Sequence, residues 1–322
     1  MTKLIIQIPC FNEEHSLPVT LKALPRQVAG IDQVEWLVID DGSTDRTVPV
    51  AKELGVDHVV RLIRHQGLAK GFTAGLQASV ERDADIIVNT DADNQYNAGD
   101  IGKLIAPILE GRAEIVVGAR PVSQVKQWSP IKKFFQKSGS WMVRKVSQTD
   151  IEDAPSGFRA FSRDAAMKLH VFSEYTYTLE TIIQAGQKGM AIVSVPIRKN
   201  EDLRKSRLIH SLPTYLARSF NTIMRIFMTY QPLSFFIIPG GISFGIGSLL
   251  GLRFLYFYLV TKTSSGHIQS LILAAVLLIL GGLLCIMGLI ADLISVNRKL
   301  LENVDYRLQR LDEKVNHLDT KK

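Results

Sequence analysis

Over its first 120 residues the chain alternates short, continuous apolar runs with longer mixed stretches. "LIIQIP", "EWLVIDD", "HVVRLIR", "DIIVNTD" and "EIVVGAR" have the length and unbroken apolarity of strands covered on both faces. Between them, "EEHSLPVTLKALPRQV", "TDRTVPVAKELG", "GLAKGFTAGLQASVERD" and "AGDIGKLIAPILEG" have helical spacing with start and stop signals. Strands alternating with helices predict an α/β fold with a doubly wound, mostly parallel sheet. Ligands of such sheets bind beyond the carboxyl ends of the strands, so the chemistry belongs just after each apolar run.

The pattern changes near residue 230. From Pro232 to Val260 the only charge is Arg253, and from Ile268 to Val296 the only charge is Asp292. Each run exceeds the roughly 20 apolar residues that cross a bilayer core. Two buried helices of a soluble core would need more polar partner sequence than the tail supplies. We therefore expect a catalytic domain over 1–209, a juxtamembrane amphipathic helix over 210–231, transmembrane helices over 232–260 and 268–296, and a helical tail over 297–322. Leu212, Leu216, Phe220, Ile223 and Phe227, with Arg218 and Arg225, carry the amphipathic pattern; a core helix has nearly the same period. Gly241 with Gly245, and Gly247 with Gly251, are small-residue pairs suited to close packing of spans. In the tail, Val304, Leu308, Leu311, Val315 and Leu318 alternate four and three residues apart, which predicts a short coiled coil and a homo-oligomer.

Charge sets the orientation. Arg218 and Arg225 precede the first span and Arg298 and Lys299 follow the second, whereas the connecting "TKTSSGH" carries only Lys262. "MTKLIIQIPCFNEE" reads as a strand entering a loop instead of a secretory signal, so the catalytic domain and both termini are expected in the cytoplasm, at the cell (inner) membrane. The two cysteines, Cys10 and Cys285, fall in the domain and mid-span and have no plausible disulfide partner. The net charge of +7 suits anionic headgroups and phosphorylated lipids. With no zinc-ligand spacing, basic heptad helix or aromatic RNA-binding motif, nucleic acid is not the expected partner.

Polar clusters follow the apolar runs: "PCFNEE", "DDGSTD", "DADNQ" and "GARP". "DGSTD" alone reads equally well as a helix cap, but four clusters on one rim exceed what capping needs. In "NTDADNQ", Asp91 and Asp93 repel each other and call for a cation, unless the motif is a solvated acidic turn. Hard oxygen donors select Mg2+ or Mn2+, and a two-carboxylate site leaves positions for substrate phosphates.

In this order "IPCFNEE", "VIDDGSTD", "GLAKGFTAG", "DADNQ" and "GAR" resemble the family 2 glycosyltransferases of the nucleotide-sugar-binding GT-A fold. "DAPSGFRAFSRDA" and the two spans narrow the resemblance to the polyprenyl-phosphate glycosyltransferases, which include dolichol-phosphate mannose synthases and the GtrB-type glucosyltransferases. The membrane layout is most similar to the GtrB type. The resemblance implies that Pro9, Glu13, Asp40, Asp41 and Lys70 serve the nucleotide, with Lys70 on a glycine-flexible loop between Gly67 and Gly71. It implies that Asp91, Asp93 and Gln95 hold the metal, and that Arg120 contacts phosphate. Lys132 and Lys133 stand where relatives often have an arginine pair, and Gln136 replaces a hydroxyl. Arg207, and less so Arg204, match a basic loop at the diphosphate or acceptor phosphate. Asp153 matches a carboxylate near the sugar, as an orienting group by preference or as a base. Arg159 fits a phosphate contact or a structural pair with a carboxylate.

The implied reaction is inverting transfer of a hexose, first choice glucose from UDP-glucose, to undecaprenyl or another polyprenyl phosphate. GDP-mannose as donor and a non-catalytic membrane scaffold are the alternatives. A processive polysaccharide synthase fits less well, since its Gln-x-x-Arg-Trp motif is absent and two spans are few for a polymer channel.

Overall fold

The computed structural model describes residues 1–120, 144, 147, 149–172, 177–200, 224–225, 227–261 and 268–319, with side chains to residue 312 and at 315. The chain divides into two compact units, Met1–Ser219 with Tyr306–Lys322, and Phe220–Asp305.

The first unit is built on one sheet of seven strands among the described residues, β1 (Lys3–Cys10), β2 (Gln33–Asp40), β3 (His58–Arg61), β4 (Ile86–Asn89), β5 (Ile115–Ala119), β6 (Arg159–Ser162) and β7 (Ile192–Pro196), in the order β3-β2-β1-β4-β6-β5-β7. The five apolar runs form β1 to β5. Parallel pairing joins β3, β2, β1 and β4, and β5 runs parallel to β7. The sheet is mixed because β6 enters antiparallel to both β4 and β5. "RAFS" is short and half polar, so it lacks the apolar run that marks the other strands.

Alternation in β1 sends its side chains to two cores. Leu4, Ile6 and Ile8 pack with Leu17 and Leu21 of α1 (Leu17–Ala23) and with Ile101, Leu104 and Ile105 of α4 (Ile101–Leu109). Ile5 packs on the other face with Phe72 and Leu76 of α3 (Leu68–Val80), with Ala165 of α5 (Arg163–Lys168) and with Ala185 of α6 (Thr178–Gln187). Helix α2 (Thr47–Glu53) adds Ala51 to the first core. Gln7 falls on the second face, fully buried where an aliphatic residue would be expected. Because β2 and β4 flank β1 while the chain turns outward in opposite directions, the switch point of the winding lies at the carboxyl ends of β1 and β4.

The second unit contains α7 (Pro232–Tyr256), a turn of π-helix at Phe257–Thr261, and the first part of α8 (Ile268–Asp319). Both helices are long and apolar enough to cross a membrane, and only 11% of the first apolar segment and 17% of the second is buried, unlike the helices of a soluble core. Helix α8 runs without a break into the tail, since no glycine or proline follows Gly288.

Of the four expected glycines only Gly247 lies where the two helices approach. A side chain at Gly241, Gly245 or Gly251 would meet open space. Gly240 faces Gly281 and Cys285, Gly247 faces Ala274, Leu277 and Leu278, and Gly288 faces Phe236. The contact repeats every seven residues, which keeps one seam aligned along both helices. At Gly281 a Cβ would lie 2.8 Å from the Gly240 carbonyl oxygen and from the Phe244 backbone nitrogen. Gly281→Leu should therefore lower the thermal midpoint of the purified protein, by the equivalent of about 1–3 kcal/mol of overpacking. Gly282→Leu, with nothing within 4 Å, should leave the midpoint near wild type in the same thermal scan.

Candidate active site

The loops leaving β1 and β2 are tied to each other before they meet anything else. Asn12, with φ 54°, accepts from the Thr44 backbone nitrogen at 2.9 Å, and its own nitrogen donates to Ser43 Oγ at 2.9 Å. The backbone nitrogen of Glu13 donates to Thr47 Oγ1 at 2.8 Å, and its carboxylate accepts from Ser16 Oγ. Asp40, fully buried, accepts from the Ser43 nitrogen at 3.0 Å and stands 3.1 Å from Arg61 Nε. Asp41 accepts from the backbone nitrogens of Gln66 and Gly67 at 2.7 and 2.8 Å, with His65 Nδ1 at 2.8 Å. Asp40 and Asp41, two of the carboxylates expected at the nucleotide, are thus engaged in shaping the loops. Gly42 makes this possible: its φ is +72°, and a Cβ there would sit 2.6 Å from backbone atoms of Arg64 and His65. The His65 ring stacks on Phe11 with centroids 3.9 Å apart.

Lys70 is exposed in the first turn of α3, not in a loop as expected. The Asp41 hold on Gln66 and Gly67, with Gly67 at φ 93°, starts the helix at Leu68, two residues before Lys70. The same turn brings Gly71 against Pro9, whose Cβ would be 3.6 Å from a Cβ at that glycine.

At the end of β4, Asp91 lies over Gly157. A Cβ at Gly157 would be 3.2 Å from both Asp91 oxygens and 2.9 Å from the Tyr177 hydroxyl. Burial, then the charge of Asp93, push the Asp91 carboxyl up to about 7, while Arg120 and the Tyr96 hydroxyl pull the other way. The pair therefore resists carrying two negative charges unless a cation is supplied. Asp93 accepts from Gln95 through its backbone nitrogen at 3.3 Å and its Nε2 at 2.9 Å. Among the described residues no group of three or more His, Cys, Asp or Glu is gathered for a metal. Two hard carboxylates beside an amide suit Mg2+ or Mn2+ whose remaining ligands come from substrate and water.

Arg120, after β5, grips Asp153. Its Nε and Nη2 donate to the two carboxylate oxygens at 2.7 and 3.0 Å, and its backbone nitrogen adds a bond of 3.1 Å. Burial pulls the guanidinium down, but the bonds and charge of Asp153 outweigh this and hold it above its ordinary value. Asp153 is fully buried, with both oxygens spent on Arg120. The group it directly orients is that arginine.

Beneath these residues runs a buried polar chain. Gln7 Nε2 donates to Asn89 Oδ1 at 2.9 Å, and Asn89 Nδ2 donates to the Gly157 carbonyl and the Tyr177 hydroxyl, each at 2.8 Å. The Gly157 nitrogen donates to the Tyr96 hydroxyl at 2.9 Å. Arg159 is fully buried and donates to the carbonyls of Ser156 and Ala154 at 2.8 and 2.6 Å and to Thr181 Oγ1 at 2.5 Å. Among the described residues its hydrogen bonds go to no carboxylate, unlike the carboxylate pair that was one of the two expected roles: the turn at 154–156 supplies the acceptors that a desolvated guanidinium needs.

Asn200 was not legible as a site residue. Its Nδ2 donates to the carbonyls of Asn94 and Tyr96 at 2.9 and 3.2 Å, and its nitrogen to that of Gln95 at 2.9 Å. It ties the loop bearing Asp93 to the start of the basic stretch, and only the asparagine in "RKNED" hinted at it. Lys132, Lys133, Gln136, Arg204 and Arg207 lie outside the described residues, as does most of the expected juxtamembrane helix.

Residues 5–169 match the family model described as Glycosyl transferase family 2. The polyprenol monophosphomannose synthase of Mycolicibacterium smegmatis is 26% identical over 61% of this chain and 77% of its own length. The undecaprenyl-phosphate mannosyltransferase of Micrococcus luteus is 29% identical over 59% of this chain and 80% of its own. In fold, the chain is similar to glucosyl-3-phosphoglycerate synthase from Mycobacterium tuberculosis, solved with Mn2+, UDP and glucosyl-3-phosphoglycerate, at a TM-score of 0.55 and 20% identity over 71% of this chain and 80% of that one.

Asp41→Ala leaves the partly buried hydrogen bonds of the Gln66 and Gly67 amides without their acceptor. It should cost about 1–3 kcal/mol of stability, and hydrogen exchange at the Gln66 and Gly67 amides should accelerate more than exchange in the strands.

Proposed function

Starting from glycosyl transferase family 2, to which the chain belongs, we propose that it transfers a hexose, with inversion, from a nucleotide diphosphate sugar to a polyprenyl phosphate such as undecaprenyl phosphate. The observation that carries this reading is a rim of paired carboxylates and a clamped arginine, Asp91, Asp93 and Arg120 with Asp153, in a chain that also exposes two membrane-length apolar helices. The named mannosyltransferase relatives act on polyprenyl phosphates, which supports the acceptor class.

The acceptor needs little activation. A phosphate monoester has a second pKa of about 6, so its oxygen is already an anionic nucleophile at neutral pH. That oxygen attacks the anomeric carbon, the bond from that carbon to the diphosphate breaks, and the electron pair leaves with the nucleoside diphosphate. No proton has to be removed in the step. This agrees with an Asp153 whose two oxygens are bound to Arg120 instead of facing a proton. Its role is to hold Arg120 extended, so that the guanidinium edge turned away from Asp153 meets phosphate.

Asp91 and Asp93, with the Gln95 amide beside them, are the residues that would hold Mg2+ or Mn2+, and the ion would stabilise the charge on the departing diphosphate. Pro9, Glu13 and Lys70 line the nucleotide end of the rim, and Asp40 and Asp41 act there through the loops they hold. Lys133 and Arg207 are assigned to phosphate by sequence resemblance.

UDP-glucose is the first donor to test, supported by the resemblance to the GtrB type and by the UDP bound to the similarly folded glucosyl synthase. GDP-mannose is the second reading, supported by the named mannosyltransferases. The arginine and lysine distribution supports a catalytic domain and termini on the cytoplasmic side.

Purified full-length protein, incubated with each radiolabelled nucleotide sugar, undecaprenyl phosphate and Mn2+, should yield a lipid-linked sugar from one donor. No product from any donor overturns the proposal, as does unchanged activity in Asp93→Ala, where a loss of at least about 100-fold is expected. In Gly157→Ala, the methyl group displaces Asp91, so half-maximal activity should require at least about tenfold more Mn2+. The activity lost in Asp153→Asn should not return at high pH; recovery there would identify Asp153 as a base.

A further inference from the structure

Helix α8 ends in a segment with two dissimilar faces. On one, the Tyr306 hydroxyl donates to Asp164 Oδ1 at 3.1 Å and Arg310 Nη2 donates to the same oxygen at 2.7 Å, with Lys168 Nζ 5.5 Å from the Tyr306 ring centre. This face rests on α5 of the catalytic unit. The other face carries Leu301, Val304, Leu308, Leu311 and Val315, between 53% and 70% exposed. At 3.6 residues per turn, Tyr306 and Arg310 lie about 200° and 240° round the helix from Val304. The clamp leaves the stripe uncovered.

The charges beside the stripe specify what would cover it. With Leu301, Leu308 and Val315 at a and Val304, Leu311 and Leu318 at d, Arg307 and Lys314 occupy g, and Asp305, Asp312 and Asp319 occupy e. In a parallel, in-register pair, each g residue faces the e residue five positions on in the other chain. Arg307 then meets Asp312, an opposite charge, and the sequence puts lysine and aspartate at the corresponding g and e positions one heptad on. In an antiparallel pair g meets g and e meets e, and every such contact is between like charges. Arg307 and Asp312 are exposed and neither makes an ion pair within its own chain among the described residues.

We infer that the stripe pairs with the same stripe of a second copy of this chain, in parallel and in register, while the opposite face stays clamped to Asp164. The parallel sense also follows from α8 being membrane-anchored, since two copies in one bilayer enter it in the same direction; to that extent the inference rests on the membrane reading. It does not depend on the sugar or the acceptor, and its test needs no substrate.

Full-length protein with Cys10 and Cys285 changed to alanine would carry single cysteines, Leu308→Cys, Leu311→Cys or Asn303→Cys, and be oxidised in membranes. Same-site cross-linking is expected at 308 and 311 and not at 303. Equal cross-linking at all three, or none at 308 and 311, overturns the pairing. In detergent, Arg307→Asp should weaken self-association by about tenfold by setting like charges opposite each other, and adding Asp312→Arg should restore it. An antiparallel pair would show neither effect, and a stripe covered by lipid or another protein would leave the mass of the purified protein unchanged in all variants; either result rejects the inference.

Discussion

The site depends on one strand running the wrong way. In a parallel sheet the exits of the strands share a rim; a strand inserted antiparallel brings its entry to that rim instead. β6 is such a strand, pairing Arg159 with Asn89 of β4 and with Val117 of β5. The turn at 153–157 that feeds it therefore arrives beside the exits of β4 and β5. Asp91 gains Gly157 as its floor and Arg120 gains Asp153 as its partner, across sequence gaps of 66 and 33 residues.

Bringing that turn into the rim places polar groups where water cannot reach them, and the protein answers with a continuous set of hydrogen bonds. Gln7, Asn89, Tyr177 and Arg159 are each fully buried. An unmet donor at such depth would cost about 1–3 kcal/mol, so each link constrains the next. Tyr177 is further fixed by stacking on Phe72, with centroids 3.8 Å apart. The outcome is a hydrogen-bonded underside to the turn, with Asp91 above it, where burial and the charge of Asp93 push the Asp91 carboxyl up to about 7.

Around the other half of the rim the same economy appears in different chemistry. Asp40 and Asp41 are acidic residues whose charge is satisfied by backbone nitrogens and basic side chains of neighbouring loops. They give this end of the rim its shape, and Gly42 allows the loops to touch. The carboxylates after β2 thus hold the protein's own loops.

Strand-length apolar runs, the rim on which their polar ends gather, the two membrane-length helices and the heptad of the tail were all determined by the sequence alone, because each depends on local spacing and on burial that every residue of a run shares. What only the tertiary structure decided are relations between distant positions. "RAFS" carries no apolar signature, so neither its place between β4 and β5 nor its direction could be read. Which glycines form the helix seam depends on rotation about the helix axis, and the set is Gly240, Gly247, Gly281 and Gly288, of which only Gly247 belonged to the closely spaced pairs. Whether a carboxylate binds a ligand or a loop depends on which donors stand within 3 Å, and that distance is fixed by packing across the whole sheet.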